Sequence, residues 1–134
     1  MMQDYELIFD GGSKGNPGEA YGSFLIKAGK RQSAPPIRIR FGSRTNNEAE
    51  YLSLLSGLES LIEILKSQKI NPKDVTLEIR GDSKLVLMQV EGKWKAKSDR
   101  MRSLRDQTQR ILRRFKTVRY VHQPRKDTLK VLGH

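Results

Sequence analysis

Residues Thr45–Lys66, TNNEAEYLSLLSGLESLIEILK, change the period of the chain. Tyr51, Leu54, Leu55, Leu58, Leu61, Ile62 and Leu65 recur at i, i+3, i+4 and i+7, the spacing of one apolar face of a helix. The pattern predicts an amphipathic helix from Asn47 to about Lys66, with Thr45 or Asn46 capping its start. The strand candidates before it read with period two, and Gly11–Gly18 between the first two reads as a loop of turn residues. Asp4–Asp10 alternates Tyr5, Leu7 and Phe9 with Glu6, Ile8 and Asp10, and is expected to be a strand ending at Asp10. YGSFLIKAG (21–29) and PIRIRFG (36–42) predict two further strands, with Pro35 and Pro36 marking the connection, so the first third of the chain reads as an antiparallel meander.

Beyond the helix, NPKD (71–74) breaks the pattern, and Val75, Leu77 and Ile79 alternate with Thr76, Glu78 and Arg80 up to Gly81 and Asp82. A strand, a helix and a strand in that order predict a crossover and a parallel pair, hence an α/β fold. SKLVLMQVEG (83–92) reads as a short helix, Met101–Phe115 as a longer one, TVRYVHQ (117–123) as a fifth strand, and the ten residues after Pro124 as a loop with a turn or two of helix. A chain of 134 residues with no repeat or linker is expected to form one domain, 1–134.

Composition narrows the function. With no cysteine there is no disulfide framework and no thiolate metal site. No apolar run reaches the roughly 18 residues of a membrane span, and MMQDYELIF is not patterned as a signal sequence, so a soluble, cytoplasmic protein without membrane contact is expected. The formal charge is +11. Between Lys93 and Arg119 eleven Lys and Arg stand against Asp99 and Asp106, which places nine of those net charges in one segment. So one-signed a run cannot be explained by i,i+4 pairing, and it points to a polyanion, nucleic acid first.

Three carboxylates fall where such a fold gathers side chains: Asp10 at the end of the first strand, Glu50 in the first turn of the long helix, Asp82 at the end of the fourth strand. Singly each is an ordinary turn, cap or dipole residue. Together they repel unless a cation neutralises them, and ligands that are all oxygen favour Mg²⁺ or Mn²⁺ over Zn²⁺.

DGGSKGNPGEAYGSF (10–24), TNNEAEYLSLLSGLE (45–59), GDSKLVLMQVEGKWKAK (81–97) and VHQPR (121–125) occur in order and span nearly the whole chain. Together they resemble type 1 ribonuclease H, particularly its short bacterial and archaeal forms. The resemblance implies a mixed five-stranded sheet flanked by helices, and hydrolysis of the RNA strand of RNA/DNA hybrids with two divalent ions; no protein partner is implied, and a monomer is expected. Asp10, Glu50 and Asp82 match three of the family's four metal ligands. Gly11 and Gly12 would let loop backbone approach the nucleic acid. Asn16 would sit at the minor groove, and Asn46 and Asn47 could contact bases or sugars, as could Ser83 and Gln89. GKWKAK (92–97), with Lys93, Trp94, Lys95 and Lys97, stands where the family places its basic handle.

The last ligand departs from the pattern. In the short forms P-R-x-x-N-x-x-A-D puts an aspartate where this chain has Leu132. His134 is the first candidate to replace it and Asp127 the second, with no replacement as the remaining alternative. An imidazole there would move preference from Mg²⁺ toward Mn²⁺. The competing reading is a catalytically weak or inactive module of the same fold that binds RNA/DNA hybrid or double-stranded RNA.

Overall fold

The computed structural model describes residues 3–32 and 35–133. Strand β1 (Gln3–Gly15) turns into β2 (Gly18–Ala28), followed by the two-residue β3 (Arg31–Gln32) and β4 (Ile37–Arg44). Helix α1 (Asn46–Ser67) leads through a 3-10 turn at Pro72–Asp74 into β5 (Val75–Gly81), and α2 (Lys84–Glu91), α3 (Asp99–Leu112), β6 (Thr117–His122) and α4 (Arg125–Leu132) complete the chain. The sheet order is β3-β2-β1-β5-β6, with β4 also paired to β2. β1, β2 and β4 are antiparallel neighbours, whereas β1, β5 and β6 run parallel. The expected mixed sheet of five strands is therefore present, with the short β3 as a sixth on the β2 edge.

The first strand does not end at Asp10. Its antiparallel pairing with β2 continues to Gly15 opposite Gly18, so what reads in sequence as a glycine loop is the far half of a hairpin. The parallel pairing with β5 does stop early, at Ile8 opposite Arg80. Asp10 thus stands two residues past the last residue shared with β5, at the point where β1 and β5 part. Asp82 follows the last residue of β5 directly.

One face of the sheet carries the main core. Tyr5, Leu7 and Phe9 of β1, Phe24 and Ile26 of β2, and Val75, Leu77 and Ile79 of β5 pack against Tyr51, Leu54, Leu58, Leu61 and Leu65 of α1, with Val86, Leu87 and Val90 of α2 and Leu104 and Leu112 of α3. Burying a side chain of that size fully contributes about 1.5–3 kcal/mol, and this cluster seats α1. Thr45, not Asn46, caps the helix: its hydroxyl accepts from Glu48 N–H while Glu48 reaches back to Thr45 N–H. Glu50 is then the fifth helical residue rather than one of the first turn. On the other face lies α4, with Leu132 packed on Ile8 and Leu25.

Candidate active site

Asp10, Glu50 and Asp82 converge at the end of the sheet where β1 and β5 separate and α1 begins. Each offers a carboxylate oxygen, and these atoms all lie within 4.8 Å of one another. β1 comes so close to α1 that a Cβ on Gly11 would lie 2.4 Å from the carbonyl oxygen of Ala49. Any side chain there would push the helix, and Glu50 with it, away from Asp10. Gly11 N–H donates a short hydrogen bond to Glu50 Oε1, while Glu50 Oε2 is buried with no donor against it. Asp10 and Glu50 are buried, at 1% and 6% exposure, and Asp82 is partly so.

Burial, then the charges of Asp10 and Asp82, hold the Glu50 carboxyl well above the usual carboxylate range. Asp82 is raised as well, by burial and then by Asp10, against the opposing charge of Arg125. Nη1 of Arg125 lies 3.3 Å from Asp82 Oδ2 and 3.9 Å from Asp10 Oδ1. Among the described residues one exposed guanidinium is paired with this cluster of three carboxyls. An all-oxygen donor set with a buried, unsatisfied Glu50 oxygen fits a hard divalent cation.

Around the acids opens a cleft of about 430 Å³. Gly11, Gly12, Asn46, Asn47 and Ser83 line it, as do Ser13, Tyr21 and Arg125. Asn46 ties the hairpin tip to the helix: its Oδ1 accepts from Ser13 N–H at 2.8 Å and its own N–H donates to Asn16 Oδ1 at 3.0 Å. Asn16 therefore stands at the rim, exposed. Ser83 Oγ caps α2, accepting from Val86 N–H. His122, on the parallel neighbour of β5, places Nε2 3.1 Å from the Asp82 carbonyl oxygen and steadies that turn.

Gln89 is built into the fold rather than turned to the cleft. It is 4% exposed, accepts from Tyr51 Oη at 2.6 Å and donates to the Lys95 carbonyl at 3.2 Å. With the buried Ala96 it moors the 93–97 segment, leaving Lys93, Lys95 and Lys97 exposed and Trp94 42% exposed, with Lys84 Nζ 5.8 Å from its ring. Asp127 is an exposed residue in the first turn of α4 and does not cap it, since that position belongs to Pro124. Among the described residues it is not part of the acidic cluster. Leu132 is fully buried, and His134 lies outside the described residues. Tyr21 and Arg125 were missed in sequence. Arg125 closes the VHQPR stretch, and its charge behind a strand end was the available signal; nothing in the period of β2 marks Tyr21.

The family described as "Reverse transcriptase-like" matches residues 29–129. Ribonuclease HI of Halobacterium salinarum is 32% identical over 117 residues, 87% of this chain and 55% of that protein. Bifunctional protein Rv2228c of Mycobacterium tuberculosis is 33% identical over 117 residues, 87% of this chain and 30% of that protein. The chain thus spans less than two thirds of the length of these relatives. Among solved structures, the N-terminal ribonuclease H domain of Rv2228c superposes with a TM-score of 0.83 at 28% identity, covering 96% of this chain and 92% of that one. LC11-RNase H1 in complex with an RNA/DNA hybrid gives 0.84 at 28% identity, with 95% and 90% covered. Sheet order, acidic cluster and these likenesses agree: the chain belongs to the type 1 ribonuclease H family.

Proposed function

We propose that the protein is a metal-dependent endonuclease that hydrolyses the RNA strand of RNA/DNA hybrids. The observation that carries this reading is the convergence of Asp10, Glu50 and Asp82, with oxygens within 4.8 Å of one another, Glu50 and Asp82 lining one cleft. A structural neighbour solved with an RNA/DNA hybrid supports the substrate class. Asp10, the innermost acid, would hold two Mg²⁺ or Mn²⁺ ions together with Glu50 and Asp82. Such ions supply an activated water and charge stabilisation for the departing 3′ oxygen.

The chain's own residues do the positioning. Gly11 and Gly12 let backbone reach the cut strand, and Asn16, Asn46, Asn47 and Ser83 present polar groups at the depth where 2′-hydroxyls distinguish RNA from DNA. Arg125 meets the phosphate with positive charge at the rim. Lys93, Lys95 and Lys97 hold the duplex by its backbone without reading sequence, and Trp94 offers an aromatic surface to a sugar or base. His134 is proposed as the fourth ligand. The second reading, a module that binds hybrid without turnover, is favoured by one feature, the fully buried leucine at 132.

Initial rates on RNA/DNA, RNA/RNA and DNA/DNA duplexes, in Mg²⁺, Mn²⁺ and EDTA, separate the two. Cleavage confined to the RNA of the hybrid, lost in EDTA and in Asp10→Asn, is expected. A higher rate in Mn²⁺ than in Mg²⁺ that disappears in His134→Ala is expected as well. Cleavage that persists in EDTA overturns the metal mechanism, and tight hybrid binding without cleavage in either ion establishes the binding module.

A further inference from the structure

A second cleft, of about 440 Å³, runs along the α4 side of the sheet beside the acidic one. Its walls are Tyr21 and Gly22 of β2, Arg38, Ile39 and Arg40 of β4, and Gly133 at the end of α4. Tyr21 lines both clefts and is their common wall; it lies across Gly12, where a Cβ would meet its hydroxyl at 2.8 Å. Alternation along β4 sends Ile39 to the core and leaves Arg38 and Arg40 on the opposite face, exposed and roughly 6.6 Å apart along the strand. Arg38 Nη2 donates to the Gly133 carbonyl at 2.7 Å, which joins the end of α4 to the edge strand. Among the described residues no carboxylate pairs with either guanidinium.

We propose that this cleft binds a single-stranded tail continuous with the strand held at Asp10, Glu50 and Asp82, with Arg38 and Arg40 on its phosphates and Tyr21 against a base. The proposal rests on the hybrid-cleaving reading and adds to it a preference for hybrids whose RNA continues unpaired. Two guanidinium groups at a strand edge, with no carboxylate paired to either among the described residues, call for a polyanion. A space the size of a small-molecule pocket admits a nucleotide or two and excludes a duplex. The shared tyrosine makes the path continuous with the cut strand, and an aromatic side chain in a basic groove is the common platform for single strands.

The test is the affinity of wild type, Arg38→Ala/Arg40→Ala and Arg40→Ala for a blunt hybrid and for the same hybrid with a short RNA tail, by fluorescence anisotropy in EDTA. Wild type is expected to bind the tailed hybrid more tightly. The double variant keeps blunt-hybrid affinity and loses the gain. Two lost phosphate contacts make its salt slope on the tailed hybrid shallower by about 1.4, so that between about 50 and 200 mM salt wild type loses about sevenfold more affinity than the variant. Arg40→Ala, which leaves the Arg38–Gly133 bond in place, gives about half that change in slope and guards against a folding defect in the double variant. Equal wild-type affinity for blunt and tailed hybrids overturns the proposal. So does the same loss in Arg110→Ala/Arg114→Ala, which removes equal charge from two exposed positions at and just past the end of α3. A preference for the tail in a protein that cleaves nothing upholds the cleft and overturns the hydrolytic reading alone.

Discussion

Replacing Glu50 by glutamine should stabilise the metal-free protein. At 4.8 Å and an effective dielectric of about 20, each pair of charged carboxylates repels by about 3 kcal/mol, and Glu50 takes part in two pairs. Wild type lessens this cost because burial and the two neighbouring acids raise the Glu50 carboxyl above its ordinary range and so favour its proton. Glutamine preserves the acceptor for Gly11 N–H and removes the charge, so a gain of about 2–3 kcal/mol at pH 7 is expected, or roughly 10 °C in Tm for a domain of this size. The sign follows from the direction of the shift. Burial and the neighbouring acids raise Glu50 in the folded state, so its proton favours folding below the ordinary carboxylate range, and that contribution is lost as pH rises through the elevated value. Thermal melts in EDTA should therefore coincide for wild type and Glu50→Gln near pH 4 and diverge toward neutrality, wild type melting lower. Adding Mn²⁺ should raise the wild-type Tm and move the variant much less. A variant that melts below wild type at neutral pH, or a gap independent of pH, would refute the electrostatic account of the cluster.

Arg125→Ala removes the guanidinium 3.3 Å from Asp82, so by calorimetric titration Mn²⁺ should bind severalfold more tightly, while the Tm in EDTA falls at neutral pH because the acids have lost their cation. Leu132→Asp places a carboxylate at the family's fourth position yet should create no ligand: Leu132 is fully buried on Ile8 and Leu25, so the expected result is a loss of about 3 kcal/mol or more in denaturant unfolding, with no gain in Mn²⁺ affinity by calorimetry.

What the sequence discloses and what it hides follow from the range of the interactions involved. The α1 pattern from Tyr51 to Leu65 is local, and it announces helix, crossover and parallel pair together. Asp82 is legible because it stands just past the end of β5, and Asp10 and Glu50 because each stands next to a change of local period in the sequence, although β1 runs on to Gly15 and α1 has completed a turn before Glu50. The continuation of β1 to Gly15 is not, because it depends on cross-strand partners in β2, and glycine carries no strand signal of its own. Gln89 looks like a polar residue on a helix surface until Tyr51 and the Lys95 carbonyl claim both ends of its amide. Arg125 gains its place from a meeting of α4 with the ends of β1 and β5 that no short window of residues contains.

Glu50 and Tyr51 are consecutive residues of α1, one reaching the acids and the other, through Gln89, the mooring of the lysine-rich segment. The acidic cluster and the lysine-rich segment are thereby geared to a single rod. On the proposed function, a substitution that slides or tilts α1 displaces both in concert, so variants altering KM through this helix should alter kcat too. Independent tuning of the two has to be sought in the exposed side chains of Lys93 and Trp94, whose backbone is held by the Met88 carbonyl of α2 rather than by α1.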